Sequence, residues 1–345
     1  MAAPNILCDC TGMSEKRWLE CREHGPKGDI EYTVGGSDVA VIFGLSPWTT
    51  PLELWMVKKG RMKPKAPPNP KQLLMGHMLE PIAAHFYGLQ TGNTVIDDNH
   101  LYQHANLEYA LANIDRRYMR KEDGESGVLE CKSLTYHKAA DWADGAIPIY
   151  YELQLRYYLA VMDQRHGAFS ALWGNNPEHD LATPHIERDQ AREDIIFEKL
   201  DRWIWSLRHD KPPTMEDVKP NLAMAALARI YGASKKGLPT IELPMKFEPK
   251  LRKIAALQKE NTELKGMIKK NEEAIEAHSV RIAELMKEHE HGILTTTTDK
   301  LLVDFVTSTS RRVSSDYLKQ NYPTIYEEAR KPSKNRKVKV TIQPL

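Results

Sequence analysis

The chain is predicted to fold as an α/β protein: a mixed β-sheet flanked by helices, extended at its C-terminal side by a long helix and a β-hairpin. Three observations predict this. Helical and strand periodicities alternate over residues 14–208 in the order helix, several strands, helix, strands, helix, which layers helices against a sheet. The segment Asp123-Gly124-Glu125-Ser126-Gly127 is a turn between two apolar runs, the mark of a hairpin. Beyond Lys250, apolar residues recur at alternating spacings of three and four, which requires an uninterrupted helix.

The elements follow in order. Ser14 caps a helix running to about Glu23, with Trp18, Leu19 and Arg22 at helical spacing. Gly35-Gly36-Ser37 is a turn whose Ser37 caps the next helix. Another short helix lies within residues 47–60, and a linker rich in Pro, Lys and Asn spans 63–71. Residues 72–90 read as a helix with an apolar stripe at Leu79, Ile82, Ala83 and Phe86. Strands are expected at 94–97, 101–103, 109–118 and 127–133, then a short helix at 137–143. Pro148 opens a stronger helix to Met162. Strands at 167–173 and 181–187 precede an amphipathic helix at 189–208, and the Pro-rich stretch 211–220 closes the core. The expected organisation is therefore a core at 1–210, a linker with a short helix at 211–246, a long heptad helix at 247–291, and a hairpin with a basic tail at 292–345. That helix ends at Gly292, strands follow at 293–297 and 301–307, and the tail from Arg330 is expected to be partly disordered.

Composition narrows the class. The chain has 345 residues, 41% apolar and 28% charged, as in soluble globular proteins. No apolar run approaches the roughly 18 residues of a membrane-spanning helix. The N-terminus lacks a basic region followed by an apolar stretch, so no secretory signal is expected. Four cysteines (Cys8, Cys10, Cys21 and Cys131) fit a reducing cytoplasm. A net charge of +1 argues against a generally basic nucleic-acid coat protein. It leaves room for a nuclease, whose basic groove is offset by an acidic metal site.

The chemistry concentrates on the predicted hairpin. Asp115 ends the apolar run Tyr109-Ala110-Leu111-Ala112-Asn113-Ile114, and Glu130 interrupts the apolar strand Val128-Leu129-Glu130-Cys131-Lys132. The turn brings Asp115, Glu130 and Lys132 to one end of the hairpin. Glu130 and Lys132 lie two apart and so share a face. Two carboxylates and an ammonium at one point suit a hard cation bound to phosphate, with the lysine holding or activating a water. Gln154 and Tyr158 sit one helical turn apart and face the same way.

Asp followed by Glu-x-Lys on the next strand resembles the signature of the PD-(D/E)xK nuclease superfamily. The flanking segments are similar to those of YqaJ-like viral recombinases, relatives of the phage lambda exonuclease. They are Trp18-Leu19-Glu20-Cys21-Arg22, Gly35-Gly36-Ser37-Asp38, Gly76-His77-Met78-Leu79-Glu80-Pro81, Ala112 to Asp115, Glu130-Cys131-Lys132, and Pro148 through Gln154 to Tyr158. The resemblance implies a restriction-endonuclease-like core. It implies a metal-dependent deoxyribonuclease that resects linear double-stranded DNA from 5′ to 3′, releasing 5′-mononucleotides. Asp115, Glu130 and the backbone carbonyl of Cys131 would hold Mg²⁺, with Mn²⁺ able to substitute. Lys132 would position the attacking water, Glu80 would lie near the metals, Gln154 would orient water or phosphate, and Tyr158 would support the site. Arg22, Ser37 and Lys138 are the expected 5′-phosphate contacts. Partners would be DNA ends and a single-strand annealing protein, in the cytoplasm of a bacterial host. A structure- or sequence-specific endonuclease on the same core, or an inactive DNA-binding scaffold, are the alternatives.

Some features point elsewhere or nowhere. The cysteines are expected to be ordinary reduced thiols and not ligands of an iron–sulfur cluster, because no C-terminal cysteine exists to close one. Relatives often carry Gly where Arg116 follows Asp115, and Arg116 and Arg117 are expected to meet DNA backbone or solvent. The heptad places Ile254, Asn261, Ile268, Ile275 and Ile282 at one site and Leu257, Leu264, Asn271, His278 and Leu285 at the other. That pattern favours a parallel two-stranded coil. Folding back with a bend near Asn271 and His278, binding a partner protein, or the ring trimer through the core that the resemblance implies, are the competing readings.

Overall fold

The computed structural model describes residues 3–65, 69–176, 178–232, 237–309 and 313–329, and the basic tail expected from Arg330 lies outside them. The chain divides into two compact units, Met1–Gly232 and Ala233–Leu345.

In the first unit, β1 (Asn5–Asp9) leads to α1 (Glu15–His24), α2 (Gly36–Ile42), α3 (Pro51–Lys58) and α4 (Pro70–Thr91). Then come β2 (Thr94–Asp97), β3 (His100–Gln103), β4 (Leu111–Ala112), β5 (Arg116–Met119) and β6 (Ser126–Ser133). A 3₁₀ segment (Tyr136–Gly145), α5 (Ile149–Met162), β7 (His166–Leu172), β8 (Leu181–Ala182), β9 (His185–Glu187), α6 (Gln190–Arg208) and α7 (Pro220–Tyr231) complete it.

Local chemistry starts most of these helices. Ser14, Asn69 and Asp189 each accept a bond from the backbone N–H three residues on, opening α1, α4 and α6. Thr50 and Glu53 form a reciprocal box at α3, buried on both sides. Helix α2 departs from expectation: its cap is Gly35, Ser37 lies inside the helix, and Asp38 accepts from the Gly35 N–H at 3.1 Å. The cause is crowding. A Cβ on Gly36 would stand 2.5 Å from the Tyr158 ring, so only glycine lets this turn press against α5.

The larger sheet runs β2-β5-β6-β7-β8, with β9 also on β7. Among the described strands of this sheet only β6 and β7 pair in parallel, and α5 lies in the connection between them. β7 is buried along its whole length, as a strand covered on both faces must be. One face packs against α2, α5 and α6 through Phe169, Leu155, Leu159, Leu200 and Trp203. The other lies under α4, where Ala83, Ala84 and Tyr87 meet Leu129, Cys131 and Ala168. The expected α4 stripe is thus corrected: Ile82 is 43% exposed, and the small residues Ala83 and Ala84 take the close approach instead. Helix α7 belongs to this unit, burying Ala223 and Ala226 and pairing Arg229 with Glu53, so the unit reaches past the Pro-rich stretch.

The segment 109–118 is not one strand. β4 pairs β3 in a three-stranded sheet with β1, whereas β5 pairs β2 and β6 in the larger sheet. The chain changes sheets across residues 113–115, and Asn113 fixes the crossing by donating to the His100 carbonyl and accepting from the Trp18 indole.

In the second unit, α8 (Glu248–Met286) is unbroken over 39 residues, without a bend at Asn271 or His278. It ends at Lys287, in the left-handed region, and not at Gly292. Gly292 instead sits in β10 (His291–Thr295), which pairs antiparallel with β11 (Lys300–Asp304). A Cβ on Gly292 would meet the Met286 sulfur at 2.7 Å. Two short helices that the sequence reading lacked follow, α9 (Ser315–Asn321) and α10 (Pro323–Ala329). Among the described residues no helix is long and apolar enough to cross a membrane.

Candidate active site

The break between β4 and β5 places Asp115 at the head of β5. There Arg116 pairs with Leu129, which sets Asp115 beside Glu130. The Cys131 N–H donates to Asp115 Oδ2 at 2.8 Å. Glu130 and Lys132 share a face of β6, and Lys132 Nζ donates to Glu130 Oε1 at 2.5 Å. Helix α5 supplies Gln154, whose Nε2 donates to the same oxygen at 2.6 Å and lies 3.3 Å from the Tyr158 hydroxyl. The other Glu130 oxygen, Oε2, is buried without a partner. Glu80 of α4 accepts from Arg116 Nη1 at 2.7 Å.

These groups strain one another electrostatically. Burial, then the Asp115 charge, pushes the Glu130 carboxyl well above the ordinary carboxylate range, against the pull of Lys132. Burial and Asp115 likewise raise Glu80, partly offset by Arg116. Burial alone would lower Lys132, but Glu130 and Asp115 outweigh it and hold the ammonium charged. A bare buried carboxylate oxygen beside a second acid is a donor set suited to a divalent cation. Among the described residues no group of three or more His, Cys, Asp or Glu side chains stands ready as a cation cage. The fit is therefore to an open site of Asp115 and Glu130, with Glu80 engaged by Arg116. Mg²⁺, which keeps several waters and prefers one or two carboxylates plus phosphate oxygens, suits such a site.

A cleft of about 340 Å³ gathers Arg22, Ser37, Glu80, Asp115, Glu130, Lys132, Gln154 and Tyr158. Arg22 lies over the Trp18 ring, 4.5 Å from its centroid, and a Cβ on Gly35 would come 3.3 Å from its guanidinium. Lys138 is not brought in: it sits exposed on the 3₁₀ segment, paired with Asp141 at 2.9 Å. The Cys131 side chain points away into the core beneath α4. Arg116 and Arg117 both have partners within the chain. Arg116 is held by Glu80, Asp97 and the Asp115 carbonyl, and Arg117 by Asp98 and Tyr102. These acids hold both guanidiniums, and Arg116 still borders the cleft. Sequence reasoning did not single out Trp18, Asp98 or Asn113 as lining residues. The turn-length spacing of Trp18 and Arg22, and the nearness of Asn113 to Asp115, were the available signals.

Residues 17–165 match the model of the YqaJ-like viral recombinase domain. The uncharacterized protein YqaJ of Bacillus subtilis (strain 168) is 26% identical over 335 residues, spanning 96% of each chain. Among solved structures, the alkaline exonuclease LHK-Exo from Laribacter hongkongensis aligns with TM-score 0.46 and 19% identity over 57% of this chain and 94% of its own. A phage-related exonuclease from Haemophilus somnus 129PT aligns with TM-score 0.39 and 15% identity over 51% and 93%. The resemblance read from the sequence is borne out over 17–165, the stretch that holds every candidate site residue.

Proposed function

We propose that this chain, similar over residues 17–165 to YqaJ-like viral recombinases, is a Mg²⁺-dependent exodeoxyribonuclease. It resects linear double-stranded DNA from 5′ to 3′ in phage-type recombination, in the cytoplasm of a bacterial host. The observation that carries the reading is the convergence of Asp115, Glu130, Lys132 and Gln154 in one cleft, with one buried Glu130 oxygen left bare.

Asp115, Glu130 and the Cys131 carbonyl would hold Mg²⁺ or Mn²⁺, with Glu80 at the edge. The ion supplies charge neutralisation at the scissile phosphate and a more acidic water. Lys132 keeps its proton beside Glu130, so it places a fixed positive charge where negative charge develops and holds a water in line with the phosphorus. Gln154 pins the Glu130 carboxylate through its amide, and Tyr158 backs Gln154. Arg22 and Ser37 receive the terminal 5′-phosphate, the arginine as a charged fork. The products are 5′-mononucleotides and a 3′ single strand offered to an annealing protein. The enzyme works as a homo-oligomer assembled through α8.

Linear duplex labelled at either the 5′ or the 3′ end, in Mg²⁺ or EDTA, tests this. The 5′ label should leave first as mononucleotide, only with metal, while closed circular DNA stays intact. Nicked circles would point to an endonuclease on the same cleft. DNA binding without hydrolysis in Mg²⁺ would point to a scaffold.

A further inference from the structure

A second cavity, also about 340 Å³, adjoins the catalytic cleft: Ser37 and Gln154 border both. Its aromatic side is Trp48, Tyr150 and Tyr151. These rings touch in series. Trp48 meets Tyr150 edge-on with centroids 5.1 Å apart, and Tyr150 meets Tyr151 at 4.4 Å. Tyr151 in turn lies 5.1 Å from Lys132 Nζ, so aromatic contact runs unbroken from the proposed reaction centre to Trp48.

Trp48 is the unusual member. It is 53% exposed, whereas an indole of this size normally sinks into a core. Its loop is nonetheless fixed, because the Trp48 and Thr49 N–H groups donate to the hydroxyl of buried Ser46. The two acids of the cavity do not repel a polyanion, since Asp38 is paired with Lys58 at 3.2 Å and Glu53 with Arg229. A rigid, exposed ring beside a phosphate-handling cleft with its acids neutralised is the chemistry of a base-stacking platform. Every nucleobase offers a π-face, so such a platform tolerates sequence but needs the base unpaired.

We infer that Trp48, backed by Tyr150, stacks an unpaired nucleobase of the strand being cut. This rests on the nuclease reading above and adds to it one positioning residue, Trp48, outside the catalytic cleft.

The test couples a protein change to a DNA change. Affinity of the full chain for a duplex with a short frayed 5′ end is measured with Ca²⁺ replacing Mg²⁺. Each nucleotide of the frayed strand is replaced in turn by an abasic one. Trp48→Ala should weaken binding roughly 5- to 150-fold, and Trp48→Phe far less. One abasic position should weaken the wild type by a similar factor and leave Trp48→Ala unaffected, because both changes remove the same contact. Losses that simply multiply at every position, or a Trp48→Ala protein that binds like the wild type, overturn the inference while leaving the nuclease reading standing. A wild-type chain that neither binds nor cuts DNA overturns both. A structural role for Trp48 would lower affinity equally at every abasic position, which is the additive outcome.

Discussion

Helices α5 and α8 carry similar apolar side chains and treat them in opposite ways. In α5, Leu155 and Leu159 are fully buried against the sheet. In α8, Ile275 is 66% and Leu285 81% exposed, and the one buried apolar residue among those described is Met286. The α5 residues sit between a parallel strand pair and α6, so the first unit covers its own apolar surface. Among its described residues the second unit has a two-stranded hairpin and short helices, too little surface to cover a 39-residue helix. Periodicity alone says that an apolar face exists, while the cover it finds depends on what the rest of the chain can offer. A long exposed heptad seam is what one strand of a coiled coil presents. Chemistry should therefore reside in the first unit and assembly in the second.

The hardest test of that division is Lys132→Ala. Hydrolysis should fall by at least on the order of hundredfold, as when a transition-state charge partner is removed. DNA affinity should stay within a few-fold, because it rests on many phosphate contacts. Asp115→Ala should lose metal binding by titration as well. Near-normal rates in either variant would move the reaction out of this cleft.

A smaller effect is expected at the terminal phosphate. Losing a charge-assisted pair costs about 1.5–3 kcal/mol, so duplex with a 5′-hydroxyl should be digested roughly tenfold or more slowly. Arg22→Ala should erase the difference between the two ends, and Lys138→Ala should not. Equal wild-type rates on both ends would give Arg22 and Ser37 another role.

Assembly is sharpened by light scattering. Ile268→Asp with Ile275→Asp, or a chain ending near Lys246, should lower the mass in solution and leave nuclease activity on linear DNA measurable. An unchanged mass would mean that α8 is not the assembly element. A mass that falls together with activity would mean that the two units are not separable.

The smallest effect is a pH slope inside the first unit. His166 is buried, 2.6 Å from the Tyr118 hydroxyl, and burial, then Arg120, lowers its pKa below the ordinary 6.5. Below that pH the unfolded chain takes up a proton that the folded chain refuses. The stability given by the neutral ring is thus present near pH 7 and lost as pH falls. His166→Gln should flatten the decline in melting temperature between about pH 7 and pH 5. An identical slope in both proteins would assign the decline to other groups.

Much of the site was legible before any fold was known. Glu130 and Lys132 share a face because strands alternate, and Gln154 faces Tyr158 because helices turn in under four residues. The rest was hidden because it depends on distant chain. The run 109–118 has continuous strand character, yet β3 captures one half and β6 the other. Arg116 and Arg117 read as free cations until Glu80, Asp97 and Asp98 arrive from α4 and β2 and the turn after it. Lys138 read as a phosphate contact, but its near neighbour Asp141 holds it.

The sequence by itself determined the local periods, the Ser14 cap, the hairpin that sets Asp115 beside Glu130, and the uninterrupted α8. All of these follow from backbone geometry and from partners a few residues away. Only the tertiary structure decided where the strand at 109–118 breaks, which acid holds each arginine, that Gly36 must lack a side chain beneath Tyr158, and that Trp48 stands exposed next to the cleft. Those outcomes are settled by which remote surface arrives first at close packing, and no local pattern encodes that.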